Sequence, residues 1–172
     1  MATNLQFIKS ETATSGTTTL NITDCFSANY DEYAINFNKF YASGIDYFYF
    51  RFIDSSGSVI STSNYTSAGF ELKSNTTFVE RHGTFDNLWQ NQHFLPNSEA
   101  ESYSGVLYIF NPFTTNDTYM LGQSTLFEYG HNYNGKYSSF FDLTTSFTGF
   151  QLSVGTLSQT FSGGEVSVYG VK

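Results

Sequence analysis

Apolar side chains recur at every second position in short runs along this chain, and each run is closed by Gly, Asn, Ser or Asp. A period of two puts alternate residues on opposite faces of an extended strand. Leu5 to Lys9 and Thr17 to Thr23 are the first two predicted strands, joined by the small and polar segment Glu11 to Gly16. Tyr33, Ile35 and Phe37 alternate with Ala34, Asn36 and Asn38, which predicts a strand with one apolar face. In Asp46 to Asp54, Phe48, Phe50 and Phe52 share one face while Tyr47, Tyr49, Arg51 and Ile53 share the other. Cover on both faces predicts a central strand. The turn residues Ser55 to Ser58 follow, and a return strand is expected to begin at Val59 and Ile60.

Farther along, Phe70 to Leu72 and Thr76 to Val79 predict two short strands around Lys73 to Asn75. Glu80 to Ala100 shows no clean period: a strand-turn-strand and a long excursion both fit, with one helical turn available near Phe85 to Gln90. Tyr103 to Asn111 is a strong strand ended by Pro112, and Tyr119 to Tyr129 is another, interrupted by Gly122. Tyr137 to Leu143, Gly149 to Gly155 and Glu165 to Val171 complete the set. About eight to ten one-sided strands with no helix longer than a turn call for stacked or closed sheets. The expected fold is therefore all-β, an antiparallel β-sandwich of jelly-roll type formed by residues 1–172 as a single domain. The absence of self-similarity at periods of about 20 to 50 residues excludes propellers and solenoids.

Composition narrows the function. Aromatic residues make up 19% of the 172 positions and charged residues only 13%, with 7 basic against 15 acidic side chains and a net charge of −8. Binding a nucleic acid depends on clustered Lys and Arg, and here the basic residues are few and scattered, so no nucleic-acid partner is expected. Met1 to Glu11 lacks a basic start followed by an apolar run, and the apolar stretches fall far short of the roughly 20 residues of a membrane helix. Neither a signal peptide nor a membrane partner is expected. A single cysteine, Cys25, permits no internal disulfide, and its neighbour Phe26 suggests a buried, inert thiol.

The search for chemistry gives little. His82, His93 and His131 are too far apart in sequence to form a short chelating pair, so no metal is expected. Asp31, Glu32, Asp54, Asp86, Glu99 and Glu101 supply carboxylates without a spacing that marks an acid and base pair. No nucleophile elbow, phosphate-cradling loop or dinucleotide fingerprint is present, and neither a cofactor nor an enzymatic activity is expected. The remaining signal is the aromatic excess. Tyrosine offers apolar area with a polar tip, which suits a docking surface, a sugar-stacking platform or a covered sheet. Trp89, His93 and Phe94 are the candidate interface residues, because they lie in the segment with the weakest strand pattern and include the only Trp.

Three segments carry a resemblance. The ending Gly163-Gly164-Glu165-Val166-Ser167-Val168-Tyr169-Gly170-Val171-Lys172 resembles the last strand of short structural proteins of tailed-bacteriophage virions. Phe26 to Phe37, with its Tyr30-Asp31 turn and Tyr33, is similar to their early strand, and Phe50 to Ile60 fits the same pattern. The resemblance implies a β-sandwich module of a virion, made in the host cytoplasm, serving as a capsid decoration or cement protein or as a tail-associated component. It implies contacts with major capsid or tail subunits and a homo-oligomer, for which a trimer is the expected form. The alternative is a receptor- or carbohydrate-binding module of a tail fibre that meets a glycan on the host surface.

Overall fold

A computed structural model describes residues 4–75, 78–86, 89–155 and 158–172, the side chains of residues 85 and 89–93 excepted. Its twelve strands are β1 (Leu5–Thr12), β2 (Thr19–Ile22), β3 (Glu32–Ala42), β4 (Asp46–Asp54), β5 (Tyr65–Lys73), β6 (Val79–Asp86), β7 (Trp89–Leu95), β8 (Tyr103–Phe110), β9 (Thr118–Glu128), β10 (His131–Phe141), β11 (Phe147–Val154) and β12 (Phe161–Val171). The helical element among the described residues is a single 3-10 turn, Glu99–Glu101.

Pairing follows the logic of a long hairpin rolled up on itself. β1 pairs with β12, β2 with β11, β3 with β8 and β4 with β7, all antiparallel. Lateral pairing of β12 with β3 and of β11 with β4 then closes two four-strand layers, β1-β12-β3-β8 and β2-β11-β4-β7. That arrangement is a jelly roll. Two hairpins are added to it: β9–β10 continues the first layer beyond β8, and β5–β6 continues it beyond β10, so the larger sheet reaches eight strands. These additions raise the strand count above the eight to ten expected.

Alternation explains the burial. On β9 every second residue from Thr118 to Glu128 is buried, and the residues between them are exposed. The core is aromatic: Phe48, Phe50 and Phe52 of β4 face inward and meet Phe37, Phe150, Phe147 and Phe141 from neighbouring strands. The Phe52 and Phe147 rings stack with centroids 4.4 Å apart. Each such ring contributes roughly 1.5–3 kcal/mol by leaving water.

Several local expectations are corrected. The strand expected at Val59 and Ile60 reduces to a bridge, Val59 to Ile53, together with a bond from Ile60 N–H to Phe52 O. The cause is competition for one strand edge. β7 already occupies that edge of β4 from Asp46 to Phe50, leaving only its last residues free, and the chain crosses to the larger sheet as β5. Glu80 to Ala100 supplies most of β6 and all of β7, with a helical turn at Glu99–Glu101; Phe85 and Asp86 are in β6 and Trp89 and Gln90 in β7, while Asn87 and Leu88 lie outside the described residues. Of the segment Thr76 to Val79, Val79 opens β6, while Thr76 and Thr77 lie outside the described residues. Gly122 does not interrupt β9, because the ring of Tyr137 covers the space a side chain would need.

Candidate binding face

The outward residues of the larger sheet line up in rows that its registers define. One row runs from Phe7 on β1 through Tyr169, Ala34, Tyr108, Leu121, Ser138 and Ala68 to His82 on β6, each paired with the next. Phe7 and Leu121 are more than half exposed, at 57% and 52%. A second row places Phe110, Tyr119 and Phe140 side by side, with the Tyr119 and Phe140 rings 5.3 Å apart. Together they form an apolar and aromatic band across the outside of the sheet. Interaction sites are marked by contiguous apolar surface of this kind, whereas single exposed hydrophobics are ordinary.

Next to the band lies a trough of about 410 Å³ over β8, β9, β10 and β5. One wall is the row Val106, Gln123, Lys136, Phe70, and the other is Ser104, Thr125, Asn134, Leu72. Between them the floor is the backbone of Gly105, Ser124 and Gly135. Past its β5 end Phe70 stacks on Phe78, centroids 5.3 Å apart and planes 26° from parallel; Phe78, 52% exposed, lines an adjoining depression with Glu80, and Phe70 and Lys136 border both. Thr125 Oγ1 donates to Asn132 Oδ1 at 3.2 Å, and the Ser104 hydroxyl accepts the Lys39 N–H at 3.1 Å. No carboxylate lines the trough, and Lys136 makes no ion pair among the described residues.

The opposite, inward face of the same strands holds charge. Glu71 and Glu128 are buried, with Glu71 Oε2 3.6 Å from Arg81 Nη2 and Lys73 Nζ 4.8 Å from the centre of the Tyr133 ring. Burial first, then the charges of Glu101 and Glu71, hold the Glu128 carboxyl above the usual carboxylate range. Burial likewise raises the Cys25 thiol, which lies 3.6 Å from Ile22 O and is buried, as its neighbour Phe26 suggested.

The residues singled out from sequence do not converge. Trp89, His93 and Phe94 all fall on β7, an edge strand of the smaller sheet. Phe94 is half-buried and meets Tyr133 edge to face at 6.0 Å, a core-side contact between sheets. The side chains of Trp89 and His93 lie outside the described residues. His82 sits on β6, and His131 Nε2 is 2.8 Å from Asn75 Nδ2 at the start of β10. No group of three or more His, Cys, Asp or Glu among the described residues is placed to hold a metal ion. Asp54 binds its own turn, accepting from Ser56 N, Ser56 Oγ and Ser58 N within 2.9 Å. The trough was missed because its residues come from four strands. The available signal was the outward set Gln123, Thr125, Asn134 and Lys136, which alternation already marks as one face.

Compared with protein family models, curated proteins and solved structures, the chain matches none.

Proposed function

We propose that the chain is a structural protein of a bacteriophage virion, a capsid decoration or cement protein or a tail-associated component, working by protein–protein contact and not by catalysis. The observation that carries this reading is the apolar band on the outside of the eight-stranded sheet, in which Phe7, Leu121 and Tyr119 are exposed, Tyr169 and Tyr108 half-buried and Ala34 covered. Rigid strands present Tyr, Phe and Leu there, so burying them against capsid or tail subunits, or against a second copy in a homo-oligomer such as a trimer, costs little side-chain entropy. The resemblance of Gly163 to Lys172, Phe26 to Phe37 and Phe50 to Ile60 to virion proteins supports it too; the first two contribute neighbouring strands of that sheet, β12 and β3, and the third belongs to β4 of the smaller one. The test is incorporation into particles. Leu121→Lys should leave the isolated domain folded and lower the copies per particle, counted by quantitative mass spectrometry, by about tenfold or more. Wild-type incorporation of that variant, or particles that never contain the protein, would remove the reading.

A second reading, a receptor- or carbohydrate-binding module of a tail fibre, is favoured by the trough. Phe70, with Phe78 stacked on it, offers an apolar ring at one end, and Asn134 and, across Lys136, Gln123 line the same trough with amides for hydroxyl groups. Binding of a host surface glycan to the purified protein tests it.

A further inference from the structure

We propose that the trough over β8, β9, β10 and β5 binds a short saccharide chain bearing carboxylate groups, with Lys136 opposite a carboxylate and the Phe70–Phe78 pair under a sugar ring. The inference rests on the second reading above, in which the trough takes a sugar, and specifies which kind.

Charge complementarity is the first ground. The molecule carries 15 acidic side chains against 7 basic ones, yet no acid lines the trough and Lys136 stands in one of its walls. Its paired neighbours are Phe70 on one side and Gln123 on the other; the carboxylate of its row, Glu80, comes one strand farther on, paired with Phe70 and lining the adjoining depression rather than the trough. Lys9, Lys39 and Arg81 each lie within 4.0 Å of a carboxylate, whereas Lys136 has none, so an anionic ligand supplies the ion partner that this ammonium lacks among the described residues.

Shape and chemistry separate a carboxylated sugar from other anions. Four strands spaced about 4.8 Å apart give the trough a length of roughly 14 Å, room for several linked rings and too much for a lone phosphate. Phosphate sites also draw on free backbone N–H groups or forked guanidinium groups, and here the floor N–H groups are spent on the β-ladder. An extended peptide adds to a sheet edge, whereas the trough lies within the sheet, between β8 and β5. What the walls do offer is the mixture a saccharide needs: a ring from Phe70, extended past the β5 end by Phe78 stacked on it, amides from Gln123 and Asn134, and one cation.

The experiment uses the whole chain. A glycan array carrying uronate- and sialate-bearing oligosaccharides with their neutral counterparts is followed by calorimetry with tetragalacturonate and its methyl ester, which keeps the hydroxyls and removes the charge. The expected result is saturable binding of acidic glycans that weakens with salt and drops about tenfold for Lys136→Met, the effect of one lost charge-assisted contact. Phe70→Ser should weaken it comparably, and Lys136→Arg should retain it. Both positions face outward, and circular dichroism checks that the variants fold. Equal binding of the methyl ester overturns the anionic assignment and leaves the sugar reading standing. Binding of neutral glycans alone does the same. No binding of any glycan removes both. Binding unchanged in Lys136→Met places the site elsewhere, and equal binding of polyglutamate to the wild type but not to Lys136→Met makes the occupant an acidic protein segment instead; either result overturns the proposal.

Discussion

Single side chains decide where this sandwich is vulnerable. Phe52 N–H lies on β4 just beyond the stretch paired with β7, so it needs a donor's partner that the sheet does not provide. Tyr65 supplies it: its hydroxyl accepts that N–H at 2.8 Å inside the core, and its ring lies parallel to that of Phe52. Tyr65→Phe keeps the ring and strands a buried N–H, which costs about 1–3 kcal/mol. Denaturant unfolding should show that loss with an unchanged m-value. Glu128 works in the opposite direction. Its Oε1 is buried without a hydrogen-bond partner among the described residues, and burial with neighbouring acids raises its pKa. A raised carboxyl contributes its full stability below the ordinary Glu pKa and loses it as pH climbs through the raised value. Glu128→Gln should therefore be the more stable protein at neutral pH, and its advantage should vanish on acidification below the ordinary Glu range. Unfolding curves for both proteins across that interval check the sign; an advantage that grows toward acid contradicts it.

At the scale of elements, the turn between β4 and the Val59 bridge is built on one carboxylate. Asp54 Oδ1 accepts from the backbone and hydroxyl of Ser56 and from Ser58 N, and Gly57 takes φ +82°, which a side chain would resist. The Ser56 hydroxyl first, and then the Ser58 N–H, lower the Asp54 pKa, so its stabilisation is present above the ordinary Asp pKa and lost as pH falls through the depressed one. Asp54→Ala should lower the Tm at neutral pH, and the gap to wild type should close in acid. This turn was legible from Asp-Ser-Ser-Gly-Ser alone, as was β4 with its three inward Phe, because local residue chemistry fixes both. β10 was legible only from Tyr137 onward. Its first half, His131 to Lys136, has the Asn and Gly of a loop, and it becomes a strand because β9 and β5 flank it and bury Tyr133 and Gly135 beneath the sheet. The trough shares this fate, since pairing β8 with β9 and β5 with β10 depends on contacts distant in sequence. Gly122 shows the same dependence: Gly122→Ala would drive a methyl group into the Tyr137 ring, an overpacking that costs roughly 1–3 kcal/mol and should appear as a lower unfolding midpoint.

For the molecule as a whole, the core between the sheets and the outer face of the eight-stranded sheet answer different demands, and paired substitutions, Phe52 on β4 of the smaller sheet and Leu121 on β9 of the larger, separate them. Inward rings hold the fold: Phe52 is fully buried and contacts Phe26, Phe50, Tyr65, Phe141 and Phe147. Phe52→Ala leaves a cavity at that junction and should cost about 3–5 kcal/mol, or a Tm lower by on the order of 10 °C for a chain of this size. Outward groups make no comparable claim on the fold. Leu121 is 52% exposed on the middle of β9, so Leu121→Ser should stay within about 0.5 kcal/mol of wild type. Fold stability therefore does not account for a leucine between Tyr108 and Ser138, in a band of exposed rings on a chain of net charge −8. Calorimetric unfolding of Phe52→Ala and Leu121→Ser measures the division directly. A Leu121→Ser variant as destabilised as Phe52→Ala would make the band part of the core economy of the domain and take away the physical ground for reading it as a docking surface.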